Sequence, residues 1–340
     1  MSRARTALVF VFLLAAWGFS GLLASAADTL PVLRRKLLEA RTEEQVNQAL
    51  FDLSETIGKP DYFPDHLAFA EWLVALPDGR PEHRLVRQRI GWAYILAKKG
   101  EKGVAALEAA SKDDPSNGLT RAYLGEALRQ AGRNEDAATM LAAAVKCGER
   151  GTFVHDAIVA TIIQAQGAEI PGHADDLPLY VKAGETYLAV MPDARIHQML
   201  ADMLLKDFKT FEKPDRKRGQ LWAQVAGKHL LAAIEGSTQK LANADQMAYD
   251  AAVALAVADR ESKGDTLRFD LLAQAYILGR SPSDGTHARP QVLTWLAEAA
   301  AQEGRFELAY KLATERLEIS DSARARRLLM RLPPDLGRDE

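Results

Sequence analysis

Apolar residues recur every three or four positions along almost the whole chain, and runs that alternate every second position are scarce. From Arg84 onward the pattern is sharpest. Ile90 and Tyr94 lie one helical turn apart, and after a short polar break Gly103, Leu107 and Ala110 form an i, i+4, i+7 stripe. The same arrangement returns as Leu124 and Leu128, then Ala137, Leu141 and Ala144. This spacing predicts pairs of amphipathic helices that turn their apolar faces toward each other. Upstream, Leu30, Leu33, Leu37 and Leu38 predict a short capping helix, and 42–57 with 64–76 a further pair. Downstream, the spacing predicts helices over 194–211, 216–236, 243–261 and 266–278, and a basic helix over 322–332.

The two sharp pairs are one 34-residue unit written twice, Arg84 to Asn117 and Gly118 to Gly151. The first copy has Ile90, Gly91, Tyr94, Gly103, Leu107, Ala110 and Pro115 at unit positions 7, 8, 11, 20, 24, 27 and 32. The second has Leu124, Gly125, Leu128, Ala137, Leu141 and Ala144 at the same positions, without the proline. The unit resembles the tetratricopeptide repeat family. The resemblance implies an all-α, right-handed α-solenoid of stacked antiparallel helix pairs, because one such pair cannot bury its own stripe. The small residues Gly91, Gly103, Gly125 and Ala137 mark where the two helix axes come closest.

The register continues less clearly on both sides. Residues 152–194 place Ile158, Val159 and Ile162 at positions 7, 8 and 11, with a long Gly, Pro and Asp insertion over 167–178. Residues 290–323 place Leu293, Leu296, Ala297, Ala300, Gly304, Ala309 and Ala313 in register, and their turn from Gly304 to Ala309 matches that from Gly132 to Ala137. The expected layout is a signal peptide over 1–27, a cap and divergent pair over 28–83, two clear repeats over 84–151, divergent pairs with longer loops over 152–280, a C-terminal repeat and capping helix over 290–332, and a tail over 333–340.

The N-terminus bears on destination. Arg3 and Arg5 precede an apolar stretch, Gly18, Ser20 and Gly21 interrupt it, and Ala24-Ser25-Ala26 offers the small residues of a cleavage site. The expectation is a periplasmic or secreted protein, cleaved after Ala26 or Ala27, with no stable membrane insertion afterwards. The competing reading is a retained anchor, since the apolar stretch is long enough to span a bilayer. Removing Arg3 and Arg5 takes the formal net charge from -3 to about -5, which argues against a general nucleic-acid binder. The single cysteine, Cys147, excludes a disulfide framework and reads as a small buried apolar residue.

A search for chemistry returns absences. The seven histidines form no metal-binding pair by spacing and read as scattered, and there is no nucleophile elbow, phosphate loop or dinucleotide fingerprint. No catalytic residue, metal or cofactor is assigned. The resemblance instead implies protein binding on the concave surface lined by the first helix of each unit. Those positions hold Leu85, Gln88, Arg89, Trp92, Ile95 and Leu96, then Leu119, Ala122, Tyr123, Glu126, Arg129 and Gln130, then Phe153, Asp156, Ala157, Ala160, Ile163 and Gln164.

The family's carboxylate clamp would need Lys where Gln88 stands, Asn at Trp92 and at Tyr123, Lys at Phe153 and Arg at Ala157, so it is absent. The groove is expected to take an apolar helix or extended segment on Gln88, Arg89, Trp92, Tyr123, Glu126, Arg129, Gln130 and Ile163, with Arg129 receiving a carboxylate. Three other readings stand beside this one. Trp92 and Tyr123 pack only between repeats, the chain forms a homo-oligomer, or the helices close into an α/α toroid that cleaves polysaccharide.

Overall fold

The computed structural model describes residues 29–59, 61–76, 83–167, 177–210, 216–238, 243–258, 266–279 and 289–334. The expected signal peptide, the centre of the 167–178 insertion and most of the expected tail lie outside these residues. Within them the chain is all helical apart from isolated bridges from Phe63 to Ile57 and Lys59. The helices are α1 (Leu30–Glu39), α2 (Glu43–Ser54), α3 (His66–Ala75), α4 (Arg84–Leu96), α5 (Gly100–Asp113), α6 (Gly118–Gln130), α7 (Asn134–Lys146) and α8 (Thr152–Gln166). They continue with α9 (Leu179–Leu188), α10 (Ala194–Thr210), α11 (Arg216–Gly236), α12 (Ala244–Ala258), α13 (Thr266–Leu278), α14 (Pro290–Gln302), α15 (Phe306–Ile319) and α16 (Ala323–Leu329). No described helix is long and apolar enough to cross a membrane.

Every principal helix contact joins elements one or two apart in the chain. That is the contact pattern of an α-solenoid, an open stack in which each pair leans on the next, and no principal contact joins the first described helix to the last. The helix ends follow from local chemistry. Thr42 starts α2 with a capping box to Gln45, and Asp65, Asn117 and Ser322 accept from backbone N–H groups at the starts of α3, α6 and α16. The two matching turns close in the same way. Gly132 and Gly304 take φ of 80° and 75°, so that the N–H groups of Arg133 and Arg305 reach back to the carbonyls of Leu128 and Ala300, each at 2.9 Å.

The glycine contacts explain the repeat. A Cβ on Gly91 would lie 2.3 Å from Leu107 Cγ, and one on Gly125 would lie 2.7 Å from Leu141 Cγ. Only hydrogen fits there, and the leucine sixteen positions on fills the space that the missing side chain leaves. The same device appears a third time, where a Cβ on Gly184 would lie 2.6 Å from Leu200 Cδ1. Gly184 and Leu200 therefore set α9 and α10 in the register of the clear units. α9 nonetheless packs chiefly back on α8 and α7. α8 in turn packs on α6, α7 and α9, and the glycine contact adds a lighter tie forward from α9 to α10.

Two expectations are corrected. The pair expected over 42–76 is not a hairpin, since α2 packs principally on α1 and α4, and α3 on α4. The connection between α2 and α3 folds inward through Gly58, at φ 87°, and inserts Phe63 edge-on against Phe69 and Trp72, each with ring centroids 5.1 Å away. Cys147 is exposed rather than buried, because it is the cap residue of α7, past the buried Ala144 and Val145. The interior also divides into three clusters: one from Leu33 to Tyr94, a small one across α4 to α7, and a large one reaching Leu332. On α16, Arg324 and Arg326 form exposed ion pairs with Glu298 and Asp321.

Two of the seven histidines are not scattered. His197 on α10 and His229 on α11 meet at 2.8 Å between their Nδ1 atoms, and Glu185 on α9 lies 3.7 Å from His229 Nε2. One ring must donate and the other accept, so at least one stays neutral. Burial and the facing His229 hold His197 below the usual imidazole range, partly offset by Asp193, and burial lowers His66 likewise. A base whose folded value is depressed is neutral in the fold while the unfolded chain already binds its proton. Its contribution is complete above about pH 6.5 and is lost as pH falls through the folded value. The melting temperature should therefore drop between pH 7 and pH 5, and less in His197→Gln; equal drops would remove the histidine pair as the cause.

Candidate partner-binding groove

The first helices α4, α6 and α8 each carry an aromatic residue to one place. Trp92 stacks on Tyr123 with ring centroids 4.5 Å apart and planes 23° from parallel. Phe153 meets both edge-on, at 5.8 Å and 5.6 Å. All three are half-buried, so they pack across successive units and also show a face to solvent. Ile163, nearly three turns further along α8, is 57% exposed and adds an apolar side chain to the helix that carries Phe153.

Side-chain hydrogen bonds lace the same three helices together. Gln88 Nε2 donates to Thr120 Oγ1 at 2.7 Å, from α4 to α6. Arg129 Nη1 donates to Gln164 Oε1 at 2.9 Å, and Gln164 Nε2 returns a bond to the Arg129 carbonyl at 2.9 Å, from α6 to α8.

The charged residues divide in two. Glu126 is buried and receives Arg129 Nε and Nη2 at 2.7 and 2.6 Å together with Gln130 Nε2 at 2.9 Å. That carboxylate holds the Arg129 guanidinium above its ordinary range. The carboxylate expected at Arg129 from outside is thus supplied by the chain itself. Arg89 is different. It is half-buried, burial lowers its pKa, and it makes no hydrogen bond or ion pair with any described residue. Its charge is felt by Tyr123, whose phenol is pushed up by burial, with the Glu149 carboxylate adding to the rise, and so remains protonated.

Leu85, Ile95, Ala122 and Ala157, expected on the open face, are buried instead. They point where the neighbouring helices close over them. Gln88, Arg89, Trp92, Tyr123, Arg129, Gln130 and Ile163 retain exposure. Of the other tryptophans among the described residues, Trp72 packs against Phe63, Trp222 is 1% exposed, and Trp295 lies beneath the guanidinium groups of Arg268 and Arg324. Among the described residues no group of three or more His, Cys, Asp or Glu side chains is placed to hold a metal ion.

No protein-family model matches the chain, and no curated protein does. Among solved structures the chain is similar to one in the crystal structure of the APC/C hetero-tetramer Cut9-Hcn1, at 18% identity and a TM-score of 0.30. The match covers 89% of this chain and 51% of that one, so this chain spans about half the length of its neighbour. At that score the superposition adds nothing to what the helix pairing establishes.

Proposed function

We propose that this is an exported, non-catalytic scaffold of the bacterial cell envelope, a member of the tetratricopeptide repeat family that holds a partner protein's helix or extended segment in its concave groove. The observation that carries the reading is the aromatic trio of Trp92, Tyr123 and Phe153. It is assembled from three successive units and left partly open to solvent, and Ile163 stands exposed further along the helix that carries Phe153. Rigid aromatic side chains on a concave apolar surface are the residue types that anchor interfaces. Export is supported by the basic, apolar and small-residue segments of 1–27.

The test places a photo-crosslinking residue at position 163 in the native cell and compares Trp92→Ala/Tyr123→Ala and Ile163→Glu backgrounds, the latter with the crosslinker at position 164. A discrete heterologous product in the envelope fraction, lost in both backgrounds while helicity is retained, is the expected result. Crosslinks only between copies of the chain would replace the reading with self-association, and no product at all would overturn it. Arg129 is left intact in these variants, because its removal strands the buried Glu126 carboxylate and would confuse binding with stability.

A further inference from the structure

We infer that the groove selects segments that place an acidic side chain beside an aromatic or large aliphatic one, with Arg89 receiving the carboxylate and the Trp92, Tyr123 and Phe153 surface receiving the apolar neighbour. This rests on the proposed groove function and names the chemistry of its ligand. The first argument is charge. Within the groove Arg129 is neutralised by Glu126, whereas Arg89 has no acidic partner among the described residues. A guanidinium is charged at any physiological pH, and one held half out of water gains more from an incoming carboxylate than a fully hydrated cation does.

The second argument is the donor set. Arg89 offers its fork of N–H groups, and the nearby Tyr123 hydroxyl, also without a hydrogen-bond partner among the described residues, adds an O–H. With the Glu149 carboxylate also acting on that hydroxyl, the cation and the neutral donor suit a single carboxylate and not a doubly charged group. The Trp92 ring stacked on Tyr123 lies next to that donor, so the group following or preceding the acid meets an aromatic face. The third argument is placement. Ile163 stands exposed on the same helix as Phe153, nearly three turns beyond it, so a segment that touches both the aromatic trio and Ile163 carries the acid within its length rather than at a chain end.

The experiment uses the full mature chain and three sets of fluorescent nonapeptides with helical and extended backbones. The first set is capped at both ends with a central Phe-Glu or Leu-Asp pair, the second carries Gln or Asn in place of the acid, and the third has the acid only as a free C-terminal carboxylate. The first set should bind at least about tenfold more tightly than the second, with an affinity that weakens as salt rises. Arg89→Gln should erase both the preference and the salt dependence while leaving the weaker binding of the second set, and its melting curve should match the parent's.

If the acidic and amide sets bind equally, or if Arg89→Gln changes nothing, the acidic selectivity is wrong although the groove still binds peptides. Preference for the third set overturns the internal acid in favour of a chain end. Failure of every set to bind, with crosslinking at position 163 also blank, overturns the groove itself.

Discussion

Leu107→Ala should destabilise the protein by about 2–5 kcal/mol, and adding Gly91→Ala to it should cost less than Gly91→Ala costs alone. Leu107 is fully buried, and its Cγ occupies the volume that a Gly91 side chain would need. Gly91→Ala by itself forces that leucine out of place, for about 1–3 kcal/mol. Once the leucine is cut back to Ala, the new methyl enters the cavity and refills part of it. Chemical denaturation of the parent, both single variants and the double variant gives the coupling directly. Additive losses would mean that the close approach of α4 and α5 is not what locks this unit. The pairs Gly125 with Leu141 and Gly184 with Leu200 should behave in the same way.

Trp222→Ala should cost about 3–5 kcal/mol and change the shape of unfolding as well as its midpoint. Trp222 is among the largest fully buried side chains and belongs to the large cluster reaching Leu332, whereas 33–94 has a core of its own. In a stack whose contacts are all local, a wound in one block is not shared evenly by the others. The C-terminal helices should melt first and the N-terminal ones near the parent temperature, giving two calorimetric transitions. Limited proteolysis between them should release a resistant N-terminal fragment. A single, uniformly lowered transition would show that the three clusters unfold as one.

The residues that made the fold legible are those with no freedom. Gly91 and Leu107 exclude every alternative pair of side chains, so their spacing survives in the sequence and returns at Gly125 and Leu141. The same spacing at Gly184 and Leu200 was readable too. It was hidden because Ile196 and Met203 replace the small residues that flank the leucine in the clear units and because the insertion shifts the count. The behaviour of α2 and α3 was not readable, since Phe63 enters the core from a connection and obeys no helical period. In the groove, first-helix positions located Gln88, Arg89, Trp92, Tyr123 and Phe153. The neutralisation of Arg129 was available in its i, i+3 spacing to Glu126. Which positions the neighbouring helices cover, as at Ile95 and Ala122, depends on superhelical packing that no local pattern encodes.

The bonds from Gln88 to Thr120 and between Arg129 and Gln164 act as clips between successive ribs. Solenoids flex by small rotations between neighbouring units, which on binding would be frozen at an entropic cost. With those rotations already restrained across α4, α6 and α8, recognition there should resemble a key entering a rigid lock, and the remaining elasticity should concentrate toward the two ends of the spring.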